Sequence, residues 1–333
     1  VVAQVNQAPD SKAPAAGAAI AADGLVFAYG ERRALDGVSF AIQKGEKHGF
    51  LGPNGSGKST LFKLLSTLVP LQQGRVTMLG LDLARDAAAI RRKLGVVFQS
   101  PAVDKKLTVR ENLHYGGLLL GLVGASLRAR CDEMLAAANL ADRAADLVGE
   151  LSGGLRRRVE IAKCLLGQPE LVLLDEASTG LDPAARRDLW TVLKAIPGLT
   201  VVFTTHLMDE AAEADRLTLL DQGKVVAAGA PAALMREVGG QVLDLEATDA
   251  AALANELQRE LGVTARVLDG ALRLDGERVH ELVPAIVQRF GARVLRLSLA
   301  HPSLQDVFLL RTGKRFVVTE PDPAPKKGRR RKS

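Results

Sequence analysis

Short unbroken apolar runs alternate along this chain with stretches that are apolar on one helical face. His48–Leu51, Leu94–Phe98, Leu171–Leu174 and Thr200–Thr204 have little polar interruption. Such runs mark strands covered on both faces, as in a parallel sheet. Leu61–Leu65, Ala87–Lys93, Leu155–Leu166 and Ala184–Ala195 carry apolar residues at helical spacing, and Pro183 opens the last of these. Ile20–Tyr29 and Arg33–Ile42 read as strands joined by the turn Gly30-Glu31. Gly74–Leu83 reads as a hairpin turning near Gly80, and Arg216–Ala228 as a closing hairpin after a helix over Met208–Ala214. Strands alternating with helices predict an α/β fold, a mainly parallel sheet with working loops at the C-terminal strand ends.

The pattern breaks twice. Residues 101–150 hold helical spacing without strand signal (Val109–Leu120, Leu127–Asn139), so a helical subdomain over about 100–165 is inserted in a domain spanning 20–235. Later comes a strand (Gln241–Ala247), a helix (Ala250–Leu261), a hairpin across Asp269-Gly270 (Ala265–Leu268, Ala271–Leu274), a helix (Val279–Phe290) and a strand (Arg293–Leu299). That order predicts a small α+β domain of ferredoxin-like type over 240–314, ending in a short helix at Pro302–Leu310. Residues 1–19, rich in Ala and Pro, and 319–333, Pro-rich and then basic, read as disordered.

Between the first buried run and its helix stands Gly52-Pro53-Asn54-Gly55-Ser56-Gly57-Lys58-Ser59-Thr60. This is the strand, glycine loop and helix of a P-loop NTPase. Glycines let backbone N–H groups curl toward phosphate oxygens, and the helix N-terminus adds unpaired donors. Lys58 is placed to reach the outer phosphates of a nucleotide and the Ser59 hydroxyl to bind Mg²⁺. The run Leu171–Leu174 ends in Asp175-Glu176. Asp175 suits a Mg²⁺ water shell; Glu176, pointing the other way, suits the orientation and deprotonation of an attacking water. Gln99 and His206 also follow buried runs. Gln99 has the chemistry to touch Mg²⁺ or its water, and His206 to hydrogen-bond a γ-phosphate and hold Glu176 in line. Tyr29 is either a strand aromatic or a ring for stacking on adenine.

Leu151-Ser152-Gly153-Gly154, upstream of that strand, resembles the signature motif of ATP-binding-cassette (ABC) ATPases. With Tyr29, the P-loop, Gln99, Asp182 and His206, the family's motif set stands in order over residues 20–230. The resemblance implies a head-to-tail homodimer in which the P-loop of one subunit and Ser152-Gly153-Gly154 of the other enclose ATP. It further implies that Asp182 contacts the opposite subunit and that Tyr29 stacks on adenine. Leu155 and Ala177 stand where many members have Gln and Pro. Glu176–Pro183 and Pro302–Phe308 followed by Thr312-Gly313 are similar to the ATPase subunits of drug, lipid and polysaccharide exporters, relatives of daunorubicin-resistance and nodulation-type exporters. Some ABC importers also carry a ferredoxin-like regulatory domain.

Charge and composition narrow the partners. The net charge of +6 equals the six basic residues between Lys326 and Lys332, so the rest is balanced. A neutral body argues against nucleic acid; the basic tail suits anionic lipid. Cys131 and Cys164 lack metal-ligand spacing and read as buried thiols of a reducing compartment. No run approaches the ~18 apolar residues of a membrane span, and no signal peptide is evident. The expected protein is a transport ATPase, peripheral on the cytoplasmic face of the inner membrane, working with a separate transmembrane permease. A soluble ABC ATPase of ribosomes or DNA, or a small-molecule kinase, fits the motifs less well.

Overall fold

The computed structural model describes residues 17–268 and 270–316. Residues 1–16, the basic tail and Asp269 of the expected turn lie outside the described residues.

The chain opens with β1 (Ala18–Tyr29) and β2 (Arg32–Gln43), then β3 (Lys47–Leu51) and α1 (Lys58–Leu65). Ala18 and Ala19 belong to β1, and Ala19 is fully buried, which corrects the expected disordered start through residue 19. β4 (Gln73–Met78), β5 (Leu81–Asp82), α2 (Ala87–Lys93) and β6 (Leu94–Val97) follow. Gly80 makes the β4–β5 turn at φ +79°, a left-handed conformation open to glycine. Next come α3 (Val109–Leu119), entered through a capping box of Thr108 and Glu111, and α4 (Gly124–Ala137). α5 (Gly153–Leu165), β7 (Leu171–Asp175), α6 (Pro183–Lys194), β8 (Thr200–Thr205), α7 (Met208–Ala211), β9 (Arg216–Asp221), β10 (Lys224–Gly229) and α8 (Pro231–Arg236) complete the first part.

These strands form two sheets. One is antiparallel, in the order β2-β1-β4-β5. The other runs β10-β9-β3-β8-β7-β6, parallel except for β10. The unbroken apolar runs have their expected cause. Leu171 and Leu173 of β7 face the core holding Leu61 and Leu64, while Val172 and Leu174 face the core holding Trp190 and Leu193.

The remainder comprises β11 (Gln241–Ala247), α9 (Ala250–Leu261), β12 (Arg266–Leu268), β13 (Ala271–Gly276), α10 (Val283–Phe290), β14 (Val294–Ala300) and α11 (Leu304–Thr312). An antiparallel sheet in the order β12-β13-β11-β14 carries a core of its own, including Leu243, Leu253 and Ile286. The helix expected over Val279–Phe290 is divided. A 3₁₀ turn at Val279–Leu282 precedes α10, where Pro284 stands in the first turn, a place that needs no proline N–H.

α11 departs from the expected domain division. Its Leu304, Val307 and Phe308 join the core of the first part, along with Leu234, Val238 and Phe316. Phe308 and Phe316 meet edge to face at 5.0 Å, and Arg311 pairs with Glu237. Phe308→Ala is therefore expected to destabilise the first part by about 3–5 kcal/mol. The fluorescence of Trp190, the only tryptophan in the sequence, reports this during denaturant unfolding. An unmoved transition would mean that the α11 contact contributes nothing to that core.

Candidate active site

β3, β8, β7 and β6 are neighbours in that order. Their C-terminal ends are in register: Leu51 lies opposite Thr205, Asp175 opposite Thr204, and Leu174 opposite Val97. Four loops therefore open on one edge, with adjacent strands ~4.8 Å apart. The glycine loop leaves β3, His206 follows β8, Asp175 and Glu176 end β7, and Gln99 lies just past β6.

The loop is shaped for close backbone approach. Gly55 and Gly57 adopt φ +81° and +109°. A methyl group at Gly57 would come within 2.5 Å of the Ala34 carbonyl oxygen, and one at Gly52 within 2.4 Å of that of Leu220. Lys58 begins α1 and is buried, its Nζ donating to the Gly52 and Pro53 carbonyls at 2.7 and 3.1 Å. Burial pushes its pKa down, and the nearby Glu176 and Asp175 carboxylates oppose that. Among the described residues no side chain caps α1, so its first amides suit an anion. Asn54, Gly55 and Ser59 are exposed, Pro53 partly so, and Thr60 buried. Ser56 Oγ is buried without a hydrogen-bond partner among the described residues.

The carboxylates are held from several sides. Thr204 Oγ1 donates to Asp175 Oδ1 at 2.6 Å and accepts from the Glu176 amide at 3.1 Å. Burial pushes the Asp175 carboxyl up, Thr204 pulls it down, and Glu176 adds to the rise. Glu176 sits at φ +44°, unusual for a residue with a side chain. Gln99 Nε2 donates to its Oε2 at 3.0 Å. His206 Nδ1 stands 3.2 Å from its Oε1, close in charge terms but without hydrogen-bond alignment.

The other expected residues stand elsewhere. Ser152 caps α5, its Oγ accepting from the Leu155 amide at 3.3 Å. Asp182 caps α6, its Oδ1 accepting from Ala184 and Ala185 at 2.9 and 3.0 Å, and the Ala185 amide leads in holding its pKa low. The two helix starts touch, since a methyl group on Gly154 would meet Ala185 Cβ at 2.8 Å. Ser152, Gly153 and Asp182 are exposed. None of them hydrogen-bonds to the Lys58–Glu176 cluster among the described residues. Tyr29 ends β1 with 49% of its surface exposed, so it is not a core aromatic.

Comparison with known proteins decides the family. Residues 35–179 match the ABC transporter family. The chain is 41% identical to the daunorubicin resistance ATP-binding protein DrrA2 of Streptomyces coeruleorubidus, over 91% of this chain and 98% of that one. The chain belongs to the ABC transporter family, among its ATP-binding proteins. It is 36% identical to the Nod factor export ATP-binding protein I of Rhizobium sp. (strain N33), over 87% of this chain and 96% of the relative. The fold matches the dimeric, post-hydrolysis structure of the ATP-binding cassette MJ0796 bound to ADP and Pi. There the TM-score is 0.57 and the identity 29%, over 63% of this chain and 98% of that one. The chain is an ATPase.

Two residues of this ABC ATPase escape a sequence reading. Arg157, in the helix read over Leu155–Leu166, is buried. It donates from Nε to the Ala177 carbonyl and from Nη1 to the Phe98 carbonyl, both at 2.7 Å, and pairs with buried Glu160. Its place one turn before Ile161 and two before Leu165, with an opposite charge at i+3, was the available signal. Glu210, one turn past His206, is also buried, and burial pushes its carboxyl up although Thr205 and Ser178 face it. Between β6, α3 and α5 lies a cavity of about 270 Å³ lined by Phe98, Ala102, Leu119, Leu120, Glu160 and Lys163.

A carboxyl whose folded pKa is raised weakens the fold once ionised, and that deficit fades as pH falls through the folded value. Glu210→Gln is therefore expected to unfold at a higher denaturant midpoint than wild type at neutral pH. The gap should close on acidification. A variant less stable than wild type at neutral pH would contradict this reading of Glu210.

Proposed function

We propose that this ATPase drives a separate membrane-spanning permease, two copies closing head to tail on ATP, in an exporter of a drug, lipid or polysaccharide. One observation carries the reading: Lys58, Asp175, Glu176, Gln99 and His206 share one strand edge, while Ser152, Gly153 and Asp182 stand exposed and make no hydrogen bond to that group among the described residues. The second group is then available to complete the site of another copy. The dimeric structure of MJ0796 supports this. The export direction is supported by the relatives named for drug resistance and Nod factor export.

In this reading the backbone N–H groups of the Gly52–Thr60 loop, Pro53 having none, and the Lys58 amine hold the phosphates, and the exposed Tyr29 ring stacks on adenine. Ser59, Asp175 and Gln99 would hold Mg²⁺, which when bound neutralises phosphate charge. Among the described residues no group of three or more His, Cys, Asp or Glu is poised to cage a metal. That suits an ion held by one or two carboxylates together with substrate oxygens and water. Glu176 takes a proton from the attacking water, and His206 orients Glu176 and contacts the γ-phosphate. Gln99, bonded to Glu176, reports on the state of the ligand.

We read the α3–α4 region as the family's helical subdomain and the permease platform. Tyr115, Leu118, Leu119, Leu120 and Val123 are exposed there, Leu119 to 87%, beside the cavity next to Phe98. No helix among the described residues is long and apolar enough to cross a membrane. We assign the chain to the cytoplasmic face of the inner membrane. The strand order β14-β11-β13-β12 supports a ferredoxin-like accessory unit. The basic tail would touch anionic lipid; salt-insensitive vesicle binding, or binding unchanged by deleting residues 326–333, would refute that.

Glu176→Gln is expected to bind ATP normally, accumulate as a dimer and hydrolyse roughly 10²–10⁴ times more slowly. Full turnover in that variant would remove Glu176 from the proposed role. The transport reading is tested by purifying the full chain from its own cells. A membrane protein should accompany it, and Leu119→Glu should lose that partner by about tenfold or more while still hydrolysing ATP. Ribosomes or DNA in place of a membrane protein would point to a non-transport ABC ATPase.

A further inference from the structure

Arg157 sits at the centre of a closed ring of contacts. Its Nε holds the carbonyl of Ala177, the residue after Glu176, and its Nη1 holds the carbonyl of Phe98, the residue before Gln99. Gln99 closes the ring by donating to Glu176 Oε2 at 3.0 Å. A guanidinium presents these donors in one rigid plane, so the two loops cannot separate without breaking a bond to it.

Glu160 extends the ring outward. One carboxylate oxygen pairs with Arg157 Nη1 at 2.5 Å, and the other accepts from the Ala102 amide at 2.5 Å. Lys163 Nζ adds a bond to the Ala102 carbonyl at 3.0 Å. Arg157, Glu160 and Lys163 thus recur at helical spacing along α5 and grip the backbone of 98–102 at both ends. Ala102, Glu160 and Lys163 also line the cavity between β6, α3 and α5.

We propose that the Arg157–Glu160 pair is a positioning relay that ties the 98–102 wall of this cavity to the Glu176 carboxylate. Displacement of Ala102 pulls on Glu160, Glu160 turns the guanidinium, and the guanidinium shifts the backbone flanking Gln99 and Glu176. Arg157 touches no substrate and acts only through the two loops. The inference rests on the reading of Glu176 as the group that works on the attacking water.

Arg157→Lys keeps the charge facing Glu160 but cannot hold two carbonyls in one plane. It is expected to fold cooperatively with a lowered unfolding midpoint and an unchanged KM for ATP, and to lose about 10–100-fold in kcat, the scale of a misplaced catalytic group. Glu160→Ala should speed hydrogen exchange at the Ala102 amide and also at the Glu176 and Thr179 amides, which it does not touch. Should Glu160→Ala fail to fold, Arg157→Met with Glu160→Met removes both charges together and leaves neither buried alone; the same loss of kcat is expected. Wild-type kcat in Arg157→Lys, or faster exchange confined to 98–102, would overturn the relay. Slow hydrolysis by Glu176→Gln beside wild-type rates in the Arg157 and Glu160 variants would sink the relay alone. Wild-type hydrolysis by Glu176→Gln would sink the reading beneath it.

Discussion

Asp175 and Glu176 place two carboxylates on consecutive residues at the end of a buried strand. At such an edge neither charge is well solvated, and each raises the cost of the other. The surrounding architecture offsets this from neighbouring strands. β8 contributes the Thr204 hydroxyl, which bonds both residues, and the loop after it contributes His206. The loop after β3 leads to the Lys58 amine, and the segment after β6 contributes Gln99. A parallel sheet in this register is what brings these groups to one line. An antiparallel neighbour would send its C-terminal loop to the opposite edge.

Much of this was legible in the sequence, for a physical reason. A strand covered on both faces is apolar throughout, so its end is marked where the first polar residue appears. Gln99, Asp175, Thr205-His206 and the glycine loop all stand at such ends. Less legible was anything that depends on register or on which face packs where. Thr204 reads as one more strand residue until β7 and β8 are paired. Arg157 reads as solvated until the burial of its face is known, because an arginine can extend a long apolar stem to water from almost any helix position. Pro302–Leu310 read as a short terminal helix, and nothing in it said which core its Leu304, Val307 and Phe308 would join. Pro284 could have divided the expected helix at Val279–Phe290, since proline is at home in a first turn and disruptive further in.

The same groups that suit chemistry weaken the fold. Lys58 and Asp175 are both pushed toward their neutral forms by burial. Glu176 occupies a backbone region that side chains rarely adopt. Sites built this way are tolerated when the rest of the domain over-determines them. Here the support is the double-faced apolar sheet beneath and the Arg157 fork beside it, so the strained residues rest on a buried and hydrogen-bonded base.

The docking of α11 changes how the C-terminal unit should be pictured. The chain leaves the ATPase body after α8, builds the β11–β14 sheet with its helices, and returns to the body through Leu304, Val307, Phe308 and Phe316. The small sheet is thus an excursion anchored at both ends and not a pendant. Cutting the chain after α8 would strip away the sheet and also uncover part of the ATPase interior. Excising 243–302 while retaining Val242 and 303–316 is the deletion that would remove the sheet and keep the residues that pack into the body.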